Sequence, residues 1–427
     1  MNDKIKIQDF SEPVEKSYIS ADDVRRKLSN LKQITFEVTD ACNLKCKYCG
    51  YGEFYDDYDL RTNRKMGLSI ALKVIDYLVN FWNSEQNMSA NRNVFISFYG
   101  GEPLLNMPLI ESVVDYMEKL PCRNRKFVFS MTTNALLIER YMDFLVAHNF
   151  YLHISLDGNE YNTSYRVDKS EEPAFRSIIE NVNALKAKYP DYFEDRVNFN
   201  AVLHNRNSVG DIYDYFKSNF NKIPGIVELN NMGIRPDKVA LFQKTYRNSR
   251  ESLYQAENYE TIEQDMFIRL GTYQSVNIFL HQYSGHVYYD YIDLLFGQRE
   301  KTVPTGTCLP FGKKMYVTVN GKILPCERIG QQFALGNVTE SGVELDLQAI
   351  SDRYNAYFAK LDTQCSKCYN TKACIQCIYN LHHLEDNPVC QGYMDEPMFA
   401  AYKARQMDFL RKHPEDYYRI MENVIVE

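Results

Sequence analysis

Between about residues 32 and 235 the chain alternates two hydrophobic periods. Short apolar runs predict strands at 33–39, 94–99, 126–132, 151–156, 197–203 and 226–233. Between them, Gly67–Trp82, Pro108–Leu120, Glu139–Asn149, Ala174–Tyr189 and Ser208–Phe220 return apolar side chains at helical spacing. Six β-α units in this order predict an α/β fold, a parallel sheet wound as a partial (β/α)6 TIM-type barrel. Chemistry in such a fold belongs at the carboxyl ends of the strands.

The pattern changes on either side. Residues 1–31 form a polar, charged extension with one short helical pattern at Ala21–Lys27. Residues 236–304 read as a helical, Tyr-rich connector through Arg247–Ser252, Met266–Leu270 and Tyr288–Leu295. In residues 305–395, strand-like Lys314–Thr318 and Ile323–Cys326 flank a Gly321-Lys322 turn and predict a hairpin, with Leu335–Val338 as a further extended piece. Residues 396–427 close the chain as a helical segment.

Composition narrows the classes. With 427 residues, 45% of them hydrophobic, the chain can bury one large core and at least one smaller one. A net charge of −7 argues against a nucleic-acid or anionic-membrane partner. No apolar run reaches the eighteen or so residues of a membrane span, and the first ten residues lack the apolar core of a signal peptide. The cytoplasm is the expected compartment, where cysteine clusters read as metal sites rather than disulfides.

The 11 cysteines supply the candidate chemistry. Cys42, Cys46 and Cys49 follow the first predicted strand at spacings of four and three. Three thiolates leave one corner of a 4Fe-4S cube without a protein ligand, and an iron with a free site can bind and reduce a substrate. Three further strands deliver polar loops to the same rim: Gly100-Gly101-Glu102-Pro103, Thr132-Thr133-Asn134 and Ser155-Leu156-Asp157-Gly158. Glycine lets backbone approach a ligand closely, and a carboxylate or strand-end carbonyl accepts hydrogen bonds from an ammonium group. Asn134 equally suits a helix cap. Seven cysteines crowd into 308–390: Cys308, Cys326, then Cys365-x2-Cys368-x5-Cys374-x2-Cys377, then Cys390. Paired C-x2-C units also suit tetrahedral zinc, so two zinc sites are the rival reading. Cys122 has no assigned role.

The Cys42–Cys49 loop, with Tyr48 before its last cysteine, resembles the radical S-adenosylmethionine (SAM) enzymes. The resemblance implies that the open iron of a 4Fe-4S cluster chelates SAM, and that an electron from the cluster cleaves SAM to a 5′-deoxyadenosyl radical that abstracts a substrate hydrogen. It further implies that Gly100, Gly101 and Glu102 meet the SAM amino group. Asn134 joins them at the rim, Ser155 and Arg166 hold the carboxylate and ribose, and Tyr48 and Val202 lie by the adenine. Many peptide-modifying relatives carry a leader-binding module ahead of the barrel. Thirty residues are too few for one, which implies a separate leader-binding partner if a leader is gripped.

The second cysteine series resembles the SPASM extension of the same family, a domain with two auxiliary 4Fe-4S clusters. The resemblance assigns Cys308, Cys326 and Cys377 to the inner cluster and Cys365, Cys368, Cys374 and Cys390 to the outer one. Here x2 replaces the usual x3 before Cys377, which leaves the ligand partition open, and residues 299–307 contain no cysteine, so the inner cluster would have three thiolates and an iron either open to a substrate thiol or ligated by another group. The implied function is a peptide maturase forming a thioether or other crosslink on a ribosomally made precursor peptide, with an external one-electron donor such as flavodoxin or ferredoxin. A sulfatase-maturating enzyme that makes formylglycine is the alternative, and a non-catalytic iron-sulfur electron-transfer or scaffold protein the alternative of another class. Glu327 stands where the sulfatase enzymes carry an Asp thought to act as base; it equally suits a surface pair with Arg328.

Overall fold

The computed structural model describes residues 18–56, 58–88, 92–121, 125–266, 271–283, 295, 303 and 305–422. Cys122, residues 267–270 and residues 288–294, all named above, lie outside the described residues. The chain divides into two compact units that do not follow chain order.

The larger unit comprises residues 24–266 and 309–346. Its six parallel strands run in chain order: β1 (Gln33–Thr39), β2 (Asn93–Gly100), β3 (Lys126–Thr133), β4 (Tyr151–Ser155), β5 (Val197–Leu203) and β6 (Gly225–Glu228). The sheet also extends beyond β1. β7 (Met315–Val317) pairs parallel with β1, and β8 (Lys322–Leu324), β9 (Gly336–Val338) and β10 (Val343–Glu344) continue it antiparallel. The order β10-β9-β8-β7-β1-β2-β3-β4-β5-β6 leaves β10 and β6 as edges, so the barrel is partial. β1 therefore lies inside the sheet, and all but its first residue is buried.

Helices cover one face. Leu68–Trp82 buries Ala71, Val74, Ile75, Leu78 and Trp82, the spacing of one helical stripe. Burial of Val74, Ile75 or Leu78 stabilises the fold by about 1.5–3 kcal/mol each, and Leu78→Ala would cost about 2–5 kcal/mol through the cavity left behind. The alternate positions of the strands carry polar groups instead. Gln33 donates to Ser97 Oγ at 2.8 Å, and Ser97 and Ser130 pair at 2.6 Å. The last parallel strand is shorter than its apolar run, because after Glu228 the chain leaves the sheet. Leu229 packs with Tyr48, Phe54, Tyr55 and Phe242, while Tyr55 Oη donates to the Asn230 carbonyl at 2.7 Å.

The smaller unit comprises residues 1–23, 267–308 and 347–427. Its helix Leu347–Cys365 buries Ile350, Tyr354, Tyr357, Phe358 and Leu361 and ends on Cys365. Asn355 on that helix brackets Ile19, accepting its amide at 3.0 Å and donating to its carbonyl at 2.8 Å. Helices Gly271–Tyr283, Glu396–Lys412 and Pro414–Glu422 share a core of Val276, Phe279, Leu280, Phe399, Tyr402 and Ile420. Asp395 caps the second of these by accepting the Met398 amide at 2.9 Å. No helix among the described residues is long and apolar enough to cross a membrane.

Candidate cluster and cofactor site

The cysteine loop leaves β1 and is strapped down from three directions. Its residues 44–47 form a short antiparallel ribbon with 165–168: Lys45 N donates to Val167 O at 2.7 Å, Lys47 N to Tyr165 O at 3.0 Å, and Leu44 bridges Asp168. That register sets Cys46 opposite Arg166. From β2, Gly101 N donates to Thr39 O and Glu102 N to Ala41 O, both at 2.9 Å. A Cβ on Gly101 would lie 2.0 Å from Ala41 O, and one on Gly100, whose φ is +138°, 2.2 Å from Thr39 O. The glycines thus admit the cysteine loop itself. From β3, Asn134 Nδ2 donates to Asn43 Oδ1 at 2.8 Å and stands 3.9 Å from Cys42 Sγ; its Oδ1 accepts Leu136 N at 3.1 Å in a local turn.

Glu102 is fully buried. Its carboxylate accepts Leu104 N at 3.1 Å, Thr133 Oγ1 at 2.7 Å and Asn134 N at 2.8 Å, joining the ends of β2 and β3. Burial outweighs these donors and pushes its pKa up to about 7.

A second buried carboxylate, Asp157, was named in the sequence only as part of a polar loop. Arg166 grips it with two hydrogen bonds, Nε at 3.0 Å and Nη2 at 2.9 Å. Tyr48 Oη also donates to it, Val202 N donates at 2.9 Å, and His204 Nε2 stands 3.8 Å away. Burial alone would raise its pKa; Arg166, backed by His204, holds it at about 2. Burial likewise works against the guanidinium charge, and Asp157 keeps the Arg166 pKa well above its ordinary value. Tyr48 stacks on His204, with ring centroids 5.4 Å apart at 28°, and Val202 packs beside it. Ser155 ends β4, half-buried, two residues before Asp157. The site residues proposed from the sequence at β2, β3, β4 and β5 therefore converge on one rim. Asp157 and His204 join them, and the only signal for Asp157 was a carboxylate at a strand end.

The thiols fit a cationic inorganic group. Burial raises the pKa of Cys42 and pushes that of Cys46 up to about 12, so each thiolate needs a positive partner to form. In the smaller unit Cys365 is pushed up to about 12, first by burial and then by Cys374, Cys390 and Cys368, which places these four as mutual neighbours. Cys308 and Cys377 are neighbours in the same sense. Gly306 packs onto the backbone of Cys374, since a Cβ there would lie 1.6 Å from Cys374 O. No three of the described cysteines bring their sulfurs within 4.8 Å of one another. Four thiolates on one zinc ion would be about 3.8 Å apart, given Zn–S of about 2.3 Å. The donor sets suit a group larger than one ion.

Glu327 follows β8, and its partner is Lys314, Nζ to Oε1 at 3.0 Å, rather than the adjacent Arg328. The hairpin explains this, because antiparallel β7 and β8 bring the residues just before and just after them together. Burial opposes the charge on Glu327, but Lys314 holds its pKa below the usual carboxylate value. Its Oε2 stands 3.6 Å from Cys326 Sγ.

An open parallel α/β sheet that offers three clustered thiols at its carboxyl rim, with a separate cysteine-rich unit, defines an iron-sulfur protein of the partial-barrel type. The chain matches the Radical SAM superfamily over residues 36–217 and the SPASM iron-sulfur cluster-binding domain over residues 308–377, and so carries a radical SAM domain and a SPASM domain. A 4Fe-4S cluster with SAM, and auxiliary iron-sulfur clusters, go with these two domains. The chain is 27% identical to the cysteine-type anaerobic sulfatase-maturating enzyme of Clostridium novyi, over 44% of this chain and 49% of that one. It is 26% identical to the radical SAM cyclopropyl synthase TigE of Paramaledivibacter caminithermalis, over 51% of this chain and 43% of that one. The matched stretch thus spans about half the length of these relatives. Among solved structures, native anSMEcpe with bound AdoMet and Cp18Cys peptide shares the fold, with TM-score 0.55 and 18% identity over 92% of this chain and 98% of that one.

Proposed function

We propose that the protein is a radical SAM peptide maturase: it abstracts hydrogen from a ribosomally made peptide and forms an oxidised product such as a thioether or another crosslink. The observation that carries this is the Cys42–Cys49 loop, strapped by Gly101, Asn134 and the 165–168 ribbon to the rim of the sheet. In this reading residues 32–235 are the catalytic barrel and 305–395 the auxiliary domain. Bound together, the cluster and SAM supply a one-electron reductive cleavage whose product abstracts hydrogen.

The chain's own residues do the rest. Cys42, Cys46 and Cys49 hold the cluster. Gly100, Gly101, Glu102 and Asn134 shape the amino-group side of the SAM site; Ser155, Arg166, Tyr48 and Val202 shape the opposite side. Glu327, kept ionised by Lys314, accepts the substrate proton, and Lys314 is placed to balance the charge. Cys308, Cys326 and Cys377, and Cys365, Cys368, Cys374 and Cys390, would hold the two auxiliary clusters, which would supply an outward path for the electron. An external one-electron donor such as flavodoxin or ferredoxin starts the cycle. The test is anaerobic incubation of the iron-loaded protein with SAM, a reductant and a candidate precursor, followed by mass spectrometry. A peptide that has lost two hydrogens is expected. Absence of 5′-deoxyadenosine overturns the reading in favour of an electron-transfer or scaffold role.

A second reading is supported by the sulfatase-maturating relatives and the shared fold: oxidation of Cys or Ser to formylglycine. Formylglycine in a sulfatase peptide after the same incubation would establish it.

A further inference from the structure

Cys46 and Arg166 occupy a register position where the cysteine loop meets a buried cation. The backbone bonds from Lys45 to Val167 and from Lys47 to Tyr165 bracket the two residues, so they oppose each other directly. Residues opposed in this way hold their Cβ atoms about 4.5–5.5 Å apart. The guanidinium is almost fully buried, with 8% of the side chain exposed, and its partner Asp157 is completely buried. Screening by solvent is correspondingly weak. Asp157 both fixes the guanidinium through two hydrogen bonds and takes the hydroxyl of Tyr48, two residues after Cys46. The charge and the thiol are therefore tied to the same anchor.

We propose that Arg166, held by Asp157, places a fixed positive charge beside Cys46 and so raises the reduction potential of the cluster held by the Cys42–Cys49 loop, with the Asp157 carboxylate offsetting part of that effect. The inference rests on the reading that this loop holds a 4Fe-4S cluster. Charges near the ligands and burial are the means by which a protein tunes such a centre. Reduction adds negative charge to the cluster, so a nearby cation favours the reduced form and a nearby anion disfavours it.

The experiment is a potentiometric titration of the anaerobically reconstituted full chain, following by electron paramagnetic resonance the reduced-cluster signal that changes on adding SAM. Arg166→Gln is expected to lower the midpoint, shifting the reduced-to-oxidised ratio at a set potential at least tenfold, equivalent to about 59 mV for one electron. Asp157→Asn is expected to raise it, and Arg166→Lys to restore most of the wild-type value. Opposite signs separate a charge effect from loosened packing, which would move both variants the same way. A shift of the same sign in both, or no shift in either at wild-type iron content, overturns the proposal. Breaking a buried pair can prevent folding. If the single variants do not assemble, the double variant Asp157→Asn/Arg166→Gln removes both charges and carries the test. Its midpoint is expected below wild type, because Arg166 rather than Asp157 holds the register position opposite Cys46, and an unchanged midpoint overturns the proposal. A wild-type chain that binds no cluster, or whose signal ignores SAM, instead refutes the functional reading beneath it.

Discussion

The Glu102 carboxylate accepts the backbone amide of Asn134 at 2.8 Å, so a residue just beyond β2 orients the residue that contacts the cysteine loop. This link titrates. Burial raises Glu102 from 4.5 to about 7 in the folded chain. A group raised on folding contributes stability that is complete below its unfolded pKa and is lost as pH rises through its folded one. Apo-protein stability should therefore fall by about 3 kcal/mol between pH 4.5 and 7.5 on this account. Urea midpoints across that range should show a slope in wild type that is reduced in Glu102→Gln.

Gly101→Ala should be more damaging than its size suggests. The added methyl meets the Ala41 carbonyl at 2.0 Å, and backbone on both sides must shift. A loss of about 3 kcal/mol or more is expected, and the displaced carbonyl precedes Cys42 directly. Thermal unfolding and iron content after anaerobic reconstitution should fall together.

Metal analysis separates clusters from zinc. Three full cubes give about twelve iron per chain, whereas zinc in the second cysteine series leaves about four. Cys46→Ala should remove about four iron and abolish 5′-deoxyadenosine formation. Cys368→Ala should remove about four iron and leave SAM cleavage measurable, because it empties only the outer site.

Glu327→Gln tests the proton acceptor. The carboxylate is ionised at neutral pH because Lys314 faces it at 3.0 Å. Its removal should slow formation of the oxidised peptide by about 10²-fold, with 5′-deoxyadenosine falling less. Equal losses in both products would remove Glu327 from the proton-transfer step.

The strand–helix alternation was legible because its signals are local. The run at 33–39 coincides with β1, and the amphipathic stretch Ser208–Phe220 begins at the cap of helix Val209–Phe220, where Ser208 Oγ accepts Asp211 N. The hairpin was readable from its turn at Gly321. That β7 joins β1, however, depends on segments almost three hundred residues apart, and no periodicity encodes a pairing at that distance.

The same division holds for the site. By itself the sequence determined the spacing of Cys42, Cys46 and Cys49, their place after the first strand, and the polar loops at the ends of the next three, because spacing and period are properties of neighbouring residues. Only the tertiary structure decided that Arg166 faces Cys46, that Asp157 holds Arg166, and that Glu327 meets Lys314. Those partners are chosen by strand register and by the need of a buried charge to find its opposite, and both are settled only when distant segments pack.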